Sequence, residues 1–139
     1  MKAVIDTRFF VVHFLAEDDE TKKWTRKILE SLQKKACLGV VPSIVVHEFY
    51  KFEMENFGRD VADMRVNVIL KSKLSTVDLD PSTAIEAARV RCKYADLPMA
   101  DAIIAATAIG TSSDFVLTDD RHIKQIREMK TRWIEVPVR

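Results

Sequence analysis

The residues best suited to chemistry are acidic side chains that stand where predicted strands end or predicted helices begin. Asp6 follows the apolar run 2–5, Asp120 closely follows the apolar run 115–117, Glu48 lies early in a predicted helix, and Asp101 lies in the first turn of another. In an alternating α/β fold, the carboxyl ends of parallel strands and the N-termini of the helices that follow them share one edge of the sheet. We therefore expect these carboxylates to converge, although they are far apart in the sequence.

Carboxylates gathered without basic partners repel one another and raise one another's pKa, and a divalent cation relieves that repulsion. Oxygen ligands suit Mg²⁺ or Mn²⁺, and the chain has no Cys or His spacing typical of zinc. A pair of such ions about 3.5–4 Å apart stabilises the attacking and leaving oxygens in phosphodiester hydrolysis. The cluster therefore predicts metal-assisted nuclease chemistry, and leaves open whether one ion or two take part.

Each acid also has a simpler interpretation. Asp6 could only cap the turn into the next helix, and Glu48 could be a solvated helix residue. Asp101 could serve the helix dipole, which favours a first-turn acid by about 0.3–1 kcal/mol. A carboxylate on so apolar a helix is nevertheless costly to desolvate. Asp119 and Asp120 are adjacent, so one of them could be an N-cap alone. The joint placement of the acids is the stronger signal.

The elements that position these acids alternate along the chain. Predicted strands cover residues 2–5, 37–41, 76–79, 115–117 and 133–136. Predicted helices cover 8–16, a segment from the Asp18-Asp19 cap to about 35, a segment from the Ser43 cap to Gly58, 59–74, 81–94, 98–109, and a segment containing Ile123, Ile126 and Met129. The helix 59–74 carries Val61, Met64 and Val68 on one face, and the helix 98–109 is apolar nearly all round, which is typical of a buried helix.

This alternation predicts an α/β fold with a mostly parallel central sheet and helices on both faces. The 139 residues fit one domain, and 47% hydrophobic residues are enough for a core. A net charge of +1 is a weak footprint for nucleic-acid binding, so a polyanion would have to be held by a local patch or through metal ions.

The sequence also indicates where the protein works. The chain starts directly in a predicted strand, so we expect no signal peptide, and no apolar run reaches the roughly 20 residues that span a membrane. Cys37 and Cys92 show no ligand spacing, and we expect buried free thiols, as in a reducing cytoplasm. These features predict a cytoplasmic protein.

Taken in order, these stretches resemble the PIN domain family and, within it, the VapC toxin ribonucleases. The matching segments are Val-Ile-Asp-Thr at 4–7, Ser-Ile-Val-Val-His-Glu at 43–48, Ala-Asp-Ala-Ile-Ile-Ala-Ala-Thr-Ala at 100–108, and Leu-Thr-Asp-Asp at 117–120. The run from Asp101 is the most specific of these segments. Together they cover nearly the whole chain.

The resemblance implies a PIN-like three-layer α/β/α sandwich and an Mg²⁺- or Mn²⁺-dependent ribonuclease formed by a single domain, 1–139. It assigns the catalytic and metal-binding acids to Asp6, Glu48, Asp101 and Asp120, and it selects Asp120 over Asp119 because the family has Thr, any residue, then Asp. It gives Thr118, and to a lesser degree Thr7, a supporting role through hydrogen bonds. It also implies a small VapB-like antitoxin partner in a toxin-antitoxin pair, and a homodimer.

Two features leave alternatives open. Arg8 occupies a position where many relatives have serine; it could hold a substrate phosphate or form a structural ion pair that competes with metal. His13, His47 and His122 share no metal-ligand spacing, so packed or surface positions are expected for all three.

The competing functions differ in class. A phosphatase of the haloacid-dehalogenase type would need an acid two residues after Asp6, where the chain has Arg8, and a receiver domain would need an acidic pair and a lysine that are not clear here. A PIN-like RNA- or protein-binding module without catalysis is the main alternative to a metal-dependent endoribonuclease. The retention of all four acids argues against it, and Arg8 is the feature that favours it.

Overall fold

The computed structural model describes residues 1–35 and 38–133 of the chain. Within this part, strands are joined in one five-stranded sheet whose order is β3-β2-β1-β4-β5, and every pairing is parallel. The strands are β1 (Lys2–Ile5), β2 (Leu38–Pro42), β3 (Ser75–Val77), β4 (Phe115–Leu117) and β5 (Thr131–Arg132). The predicted α/β fold with a mostly parallel sheet is therefore confirmed, and the sheet is parallel throughout.

Helices fill the connections between these strands. They are α1 (Thr7–Leu15), α2 (Asp19–Leu32), α3 (Ser43–Phe57), α4 (Arg59–Leu70), α5 (Pro81–Lys93), α6 (Met99–Gly110) and α7 (Arg121–Lys124). Asp18, one of the two residues predicted to cap α2, accepts a hydrogen bond from the backbone N–H of Thr21, and Asp80 caps α5 in the same way through the backbone N–H of Thr83. Gly58 ends α3 with a φ of 83°, a left-handed conformation that glycine adopts without strain.

The core is organised around β1, the central strand. Ala3, Val4 and Ile5 are completely buried because β1 has strands on both sides and packs within the main hydrophobic cluster. Most of α6 is buried too, which agrees with its nearly continuous apolar sequence. No helix in the described part of the chain is both long and apolar enough to cross a membrane.

The strand register sets the position of the acidic residues. Ile5 of β1 is level with Leu117 of β4, and the backbone N–H of Asp6 donates to the Leu117 carbonyl at 3.2 Å. Val4 is level with Val40 on the other side. The chain therefore leaves β1, β2 and β4 at the same edge of the sheet.

Several predicted boundaries were wrong by a few residues, most clearly around β2. This strand extends through Pro42, which is the N-cap residue of α3, so Ser43 is the first helical residue and not the predicted cap. No side chain caps this helix. Cys37, predicted to start the strand, lies outside the described residues. The helix predicted to reach about residue 35 ends at Leu32, and the one predicted to reach 74 ends at Leu70.

The predicted face of α4 was also incomplete. Met64 and Val68 are 57% and 56% exposed, whereas the residues that α4 buries are Ala62, Val66 and Ile69. Both sets have helical spacing, so the sequence offers two apolar faces and only packing against α3 selects one.

The last elements differ most from expectation. The helix predicted to contain Ile123, Ile126 and Met129 is a single turn, α7, that ends before Ile126. The last described strand is Thr131–Arg132. Of the strand predicted at 133–136, residue 133 is not in a strand and residues 134–136 lie outside the described part. Cys92 is exposed and not buried as expected, because it lies on the solvent side of α5.

Candidate metal centre

Asp6 is the buried centre of the acidic edge and is only 5% exposed. As the N-cap of α1, it accepts a hydrogen bond from the backbone N–H of Thr7 on Oδ1 at 2.7 Å, and Oδ2 accepts one from Thr118 Oγ1 at 2.6 Å. Burial raises the Asp6 pKa, these hydrogen bonds oppose the rise, and the negative charges of Glu48 and Asp120 add to it, so that the pKa is about 6. Asp6 is thus held in place in an environment that disfavours its ionised form.

Asp120 is held by the turn that follows β4. The hydroxyl of the fully buried Thr118 accepts the backbone N–H of Asp120 at 3.0 Å while it donates to Asp6. Asp120 is the N-cap of α7, and its Oδ1 accepts from the backbone N–H groups of His122 at 2.7 Å and Ile123 at 3.4 Å. One threonine therefore links two of the acids.

Glu48 lies on the second turn of α3 and is partly buried. Its Oε1 accepts a hydrogen bond from Thr7 Oγ1 at 2.8 Å. Because the Thr7 backbone also donates to Asp6, Thr7 connects these two carboxylates as Thr118 connects Asp6 and Asp120. The supporting hydrogen bonds expected of Thr118 and Thr7 are present.

Asp101 has the least support from the protein. It lies in the first turn of α6 with its side chain 14% exposed, and within the described residues its carboxylate accepts no hydrogen bond. The Asp101 pKa is raised to about 7. Burial is the largest cause, the negative charges of Asp120, Asp6 and Glu48 add to it, and His122 opposes it. This carboxylate interacts electrostatically with all three other acids, so the predicted convergence at one edge is confirmed.

The donor set fits a hard divalent cation. The acids offer carboxylate oxygens, the ligands that Mg²⁺ and Mn²⁺ prefer. Two of them, Asp6 and Asp101, have raised pKa values, mainly because they are partly or fully buried and in addition because other carboxylates lie near them. A bound cation would offset both effects, because its positive charge stabilises the ionised carboxylates and reduces the repulsion between them. The residues present therefore suit the ion that the sequence predicted.

Asp119 is engaged elsewhere. Arg8 Nε lies 2.7 Å from its Oδ1 and donates a hydrogen bond to its Oδ2 at 2.8 Å. The Arg8 side chain is 60% exposed, and it contacts none of the other acids within the described part of the chain. Of the two roles considered for Arg8, the structure supports an ion pair, but with Asp119 and so without competition for the cluster.

His122 was not recognised in the sequence as part of this region. Its Nδ1 lies 3.4 Å from Asp120 Oδ1 and 3.8 Å from Asp101 Oδ2. The available signal was its position two residues after Asp120, in the turn that this residue caps. The other histidines agree with expectation: His13 is packed and hydrogen-bonds Thr25 at 2.8 Å, and His47 is exposed.

A cleft of about 440 Å³ adjoins Glu48. Its walls come from α3 and the start of α6, and they include Ile44, His47, Lys51, Phe52 and Met99. The Met99 side chain is exposed at its rim. Of the four acids, Glu48 lines this cleft, so the cleft adjoins the acidic edge on the α3 side.

Solved structures with similar folds include VapC and VapBC proteins of several bacteria. The chain superposes on VapBC2 from Rickettsia felis bound to a promoter DNA fragment with a TM-score of 0.79 and 18% identity, over 96% of this chain and 98% of that one. VapBC-1 from nontypeable Haemophilus influenzae gives 0.75 and 13%, over 96% and 98%. VapC20 from Mycobacterium tuberculosis, described as a Sarcin-Ricin loop cleaving toxin, gives 0.70 and 14%, over 88% and 93%.

Sequence comparison gives the family itself. A search of curated proteins by sequence found no match. The PIN domain family, in contrast, matches residues 3–129, a range that includes all four acids of the cluster and every described strand except β5. With its parallel sheet and the acids at the carboxyl edge, the chain belongs to the PIN domain family.

Proposed function

We propose that this protein is a VapC-type, divalent-metal-dependent endoribonuclease that hydrolyses RNA phosphodiester bonds. The observation that carries the proposal is the placement of four carboxylates at one edge of the sheet: Thr7 and Thr118 link Asp6 to Glu48 and Asp120 by hydrogen bonds, and Asp101 and Asp120 lie beside the same imidazole. Burying like charges together is unfavourable unless something else neutralises them. A divalent cation that binds phosphate oxygens would neutralise these carboxylates, which explains why they lie together.

The four carboxylates would hold Mg²⁺ or Mn²⁺. A divalent ion bound there would stabilise negative charge on phosphate oxygens and lower the pKa of a water molecule. The hydroxyl groups of Thr118 and Thr7 keep Asp6 and Glu48 oriented, so that little reorganisation is needed when substrate binds.

Asp101 has a different part in this scheme. Its carboxylate accepts no hydrogen bond from the described residues, and its pKa is raised to about 7. A carboxylate oxygen without a protein partner can accept a hydrogen bond from a water molecule. We assign to it the orientation of the attacking water, in addition to its share in holding the ion.

Partners and setting are part of the same proposal. The chain would be a single cytoplasmic domain that is inhibited by a small VapB-like antitoxin and that forms a homodimer. Structures of VapBC complexes among the similar folds support the antitoxin. The exposed apolar side chains of Met64 and Val68 on α4 support a protein partner on that face.

The decisive experiment is cleavage of a labelled RNA pool by purified protein with Mn²⁺, with Mg²⁺ and with EDTA. Cleavage should require metal, and Asp6→Asn should lower its rate by at least about 100-fold, because metal-held charge stabilisation is worth several kcal/mol. Asp119→Asn is the matched control, since Asp119 is a neighbouring acid that pairs with Arg8. That variant should retain cleavage.

Cleavage that persists in EDTA, or unchanged turnover in Asp6→Asn, would contradict the proposal. Absence of cleavage on every RNA would favour the non-catalytic binding module instead. Calorimetry with Mn²⁺ then separates the classes, since a binding module needs no divalent ion.

A further inference from the structure

The imidazole of His122 faces the acidic edge in a way that an ordinary surface histidine does not. One of its ring nitrogens, an oxygen of Asp101 and an oxygen of Asp120 all lie within 4.8 Å of one another. In residues 1–35 and 38–133, this is the one group of three such ligand atoms with that spacing. The side chain of His122 is 28% exposed, so it borders the cluster and remains accessible to solvent.

The position of His122 follows from the cap of α7. Asp120 Oδ1 accepts the backbone N–H of His122 at 2.7 Å, which fixes the main chain of His122 directly beside the cluster. The hydrogen bonds and the histidine contact of Asp120 all fall on Oδ1. Its Oδ2 accepts no hydrogen bond from the described residues, so the hydrogen bonds of Asp120 leave part of its carboxylate available to an ion.

The distances from the ring do not fit a simple histidine–carboxylate hydrogen bond. A charge-assisted bond of that kind is about 2.7–2.9 Å long, whereas Nδ1 lies 3.4 Å from one carboxylate oxygen and 3.8 Å from the other. Within the described part of the chain, the ring makes no hydrogen bond at all. It faces both carboxylates without being engaged by either.

The same distances fit ligands that share one ion. Ligand atoms about 2.0–2.2 Å from a common ion are separated from one another by about 3–4 Å. Both contacts of Nδ1 fall in that range. Nitrogen ligands also change which ion a site prefers: imidazole suits transition metals, while Mg²⁺ prefers oxygen ligands and water.

We propose that His122 Nδ1 is a direct ligand of the divalent ion that Asp101 and Asp120 hold, and that it makes the centre favour Mn²⁺ over Mg²⁺. This inference rests on the metal centre of the proposed function and specifies its ligand set. His122 thereby becomes a determinant of metal preference in addition to the four acids.

Pulsed electron paramagnetic resonance of the untagged full chain loaded with Mn²⁺ tests the ligation directly. The Mn²⁺ signal should show coupling to a histidine nitrogen, and that coupling should change when the protein is labelled with ¹⁵N-histidine. It should be lost in His122→Ala and retained in His47→Ala, the matched control for an exposed histidine on α3.

Calorimetry measures the preference. His122→Ala should weaken Mn²⁺ binding about tenfold or more and Mg²⁺ binding much less. Circular dichroism establishes that the variants are folded, and His122→Gln gives a second variant that keeps a polar side chain. The isotope-labelling result needs no variant at His122.

The outcomes separate this inference from the function on which it depends. Tight Mn²⁺ binding that Asp101→Asn abolishes, but without coupling to a histidine nitrogen, would overturn the role of His122 and leave the metal centre standing. Coupling that survives in His122→Ala would overturn it too. A native chain that binds no Mn²⁺ would overturn both the inference and the metal-dependent nuclease.

Discussion

Two glutamates on the same helix have opposite surroundings. Glu53 of α3 is completely buried, yet Arg65 Nη1 lies 2.8 Å and 3.2 Å from its two oxygens. The guanidinium of Arg65 is itself placed near the rings of Phe14 and Phe57. Glu48, about one and a half turns earlier on the helix, shares its region with Asp6 and Asp101.

The difference shows how the chain treats buried negative charge. Around Glu53 the protein provides its own cation, and the pair is complete when the protein folds. Around Glu48 the described residues provide hydroxyl and backbone donors to some of the acids but no arginine or lysine. The charge of Glu53 is therefore neutralised within the folded chain, whereas the acids around Glu48 leave a negative site for an ion from solution.

The largest effect on stability is expected at the buried ion pair of Glu53 and Arg65. Glu53→Gln removes one partner and leaves Arg65 partly buried, so it should lower the free energy of unfolding by about 3 kcal/mol. Urea denaturation with EDTA present measures this change. Glu55→Gln on the exposed side of the same helix is the control, and an equal loss there would contradict the comparison.

The acids that lack a basic partner, Asp6 and Asp101, should make the free energy of unfolding depend on pH. The pKa of Asp6 is raised to about 6 and that of Asp101 to about 7 from an ordinary value of 3.8, so the folded state binds more protons than the unfolded state between these values. In EDTA, the free energy of unfolding should therefore be highest near pH 4 as far as these groups are concerned, and fall as the pH rises to about 7.

Replacing one of these acids sharpens this test. Asp101→Asn should make the pH dependence shallower and raise the free energy of unfolding at pH 7.5 in EDTA by roughly 1–3 kcal/mol. Asp60→Asn, an exposed acid in the first turn of α4, is the control. A slope unchanged by Asp101→Asn would show that the cluster is not the source of the pH dependence.

A smaller effect is expected at the link between two acids. Thr118→Val keeps the shape of the side chain but removes the hydroxyl that donates to Asp6 and accepts from the Asp120 backbone. We expect a loss of about 1–2 kcal/mol in unfolding free energy, and slower cleavage because Asp6 loses its orientation. Thr118→Ser should restore both, and failure of that rescue would point to packing of the methyl group.

The smallest effect on stability is expected at the ion pair of Arg8 and Asp119. Arg8→Ala removes the contact to Asp119, which for exposed partners is worth at most about 1 kcal/mol. RNA cleavage and thermal unfolding should both change little. A large loss of cleavage with unchanged stability would instead show that Arg8 contacts substrate phosphate.

Much of the fold could be predicted from local patterns. Apolar runs such as 115–117 mark strands buried on both faces, and Asp80-Pro81 marks the start of a helix by elementary capping chemistry. The location of the acids followed from these elements, because parallel strands present their carboxyl ends together. The four site acids and their role remain a prediction until variants are measured.

The errors arose where local patterns allow two answers. On α4, Val68 and Ile69 are equally apolar, yet only Ile69 packs inward. Near the C-terminal end, the spacing of Ile123 and Ile126 suits a helix. The chain instead makes a single helical turn, and Ile126 lies in the loop after it, with its side chain buried in the core. Such choices depend on which surfaces are available for packing, and the local sequence does not contain that information.

By itself, the sequence determined that carboxylates would follow buried strands and lie at one edge of a parallel sheet, since hydrophobic runs, caps and the alternation of strands with helices can be recognised in the sequence. Only the tertiary structure decided which charges find partners. Arg8 reaches Asp119 across 111 positions of sequence, Arg65 neutralises Glu53, and His122 stands beside Asp101. Electrostatic energy depends on distance through space, so the division between matched and unmatched acids exists only once the chain has folded.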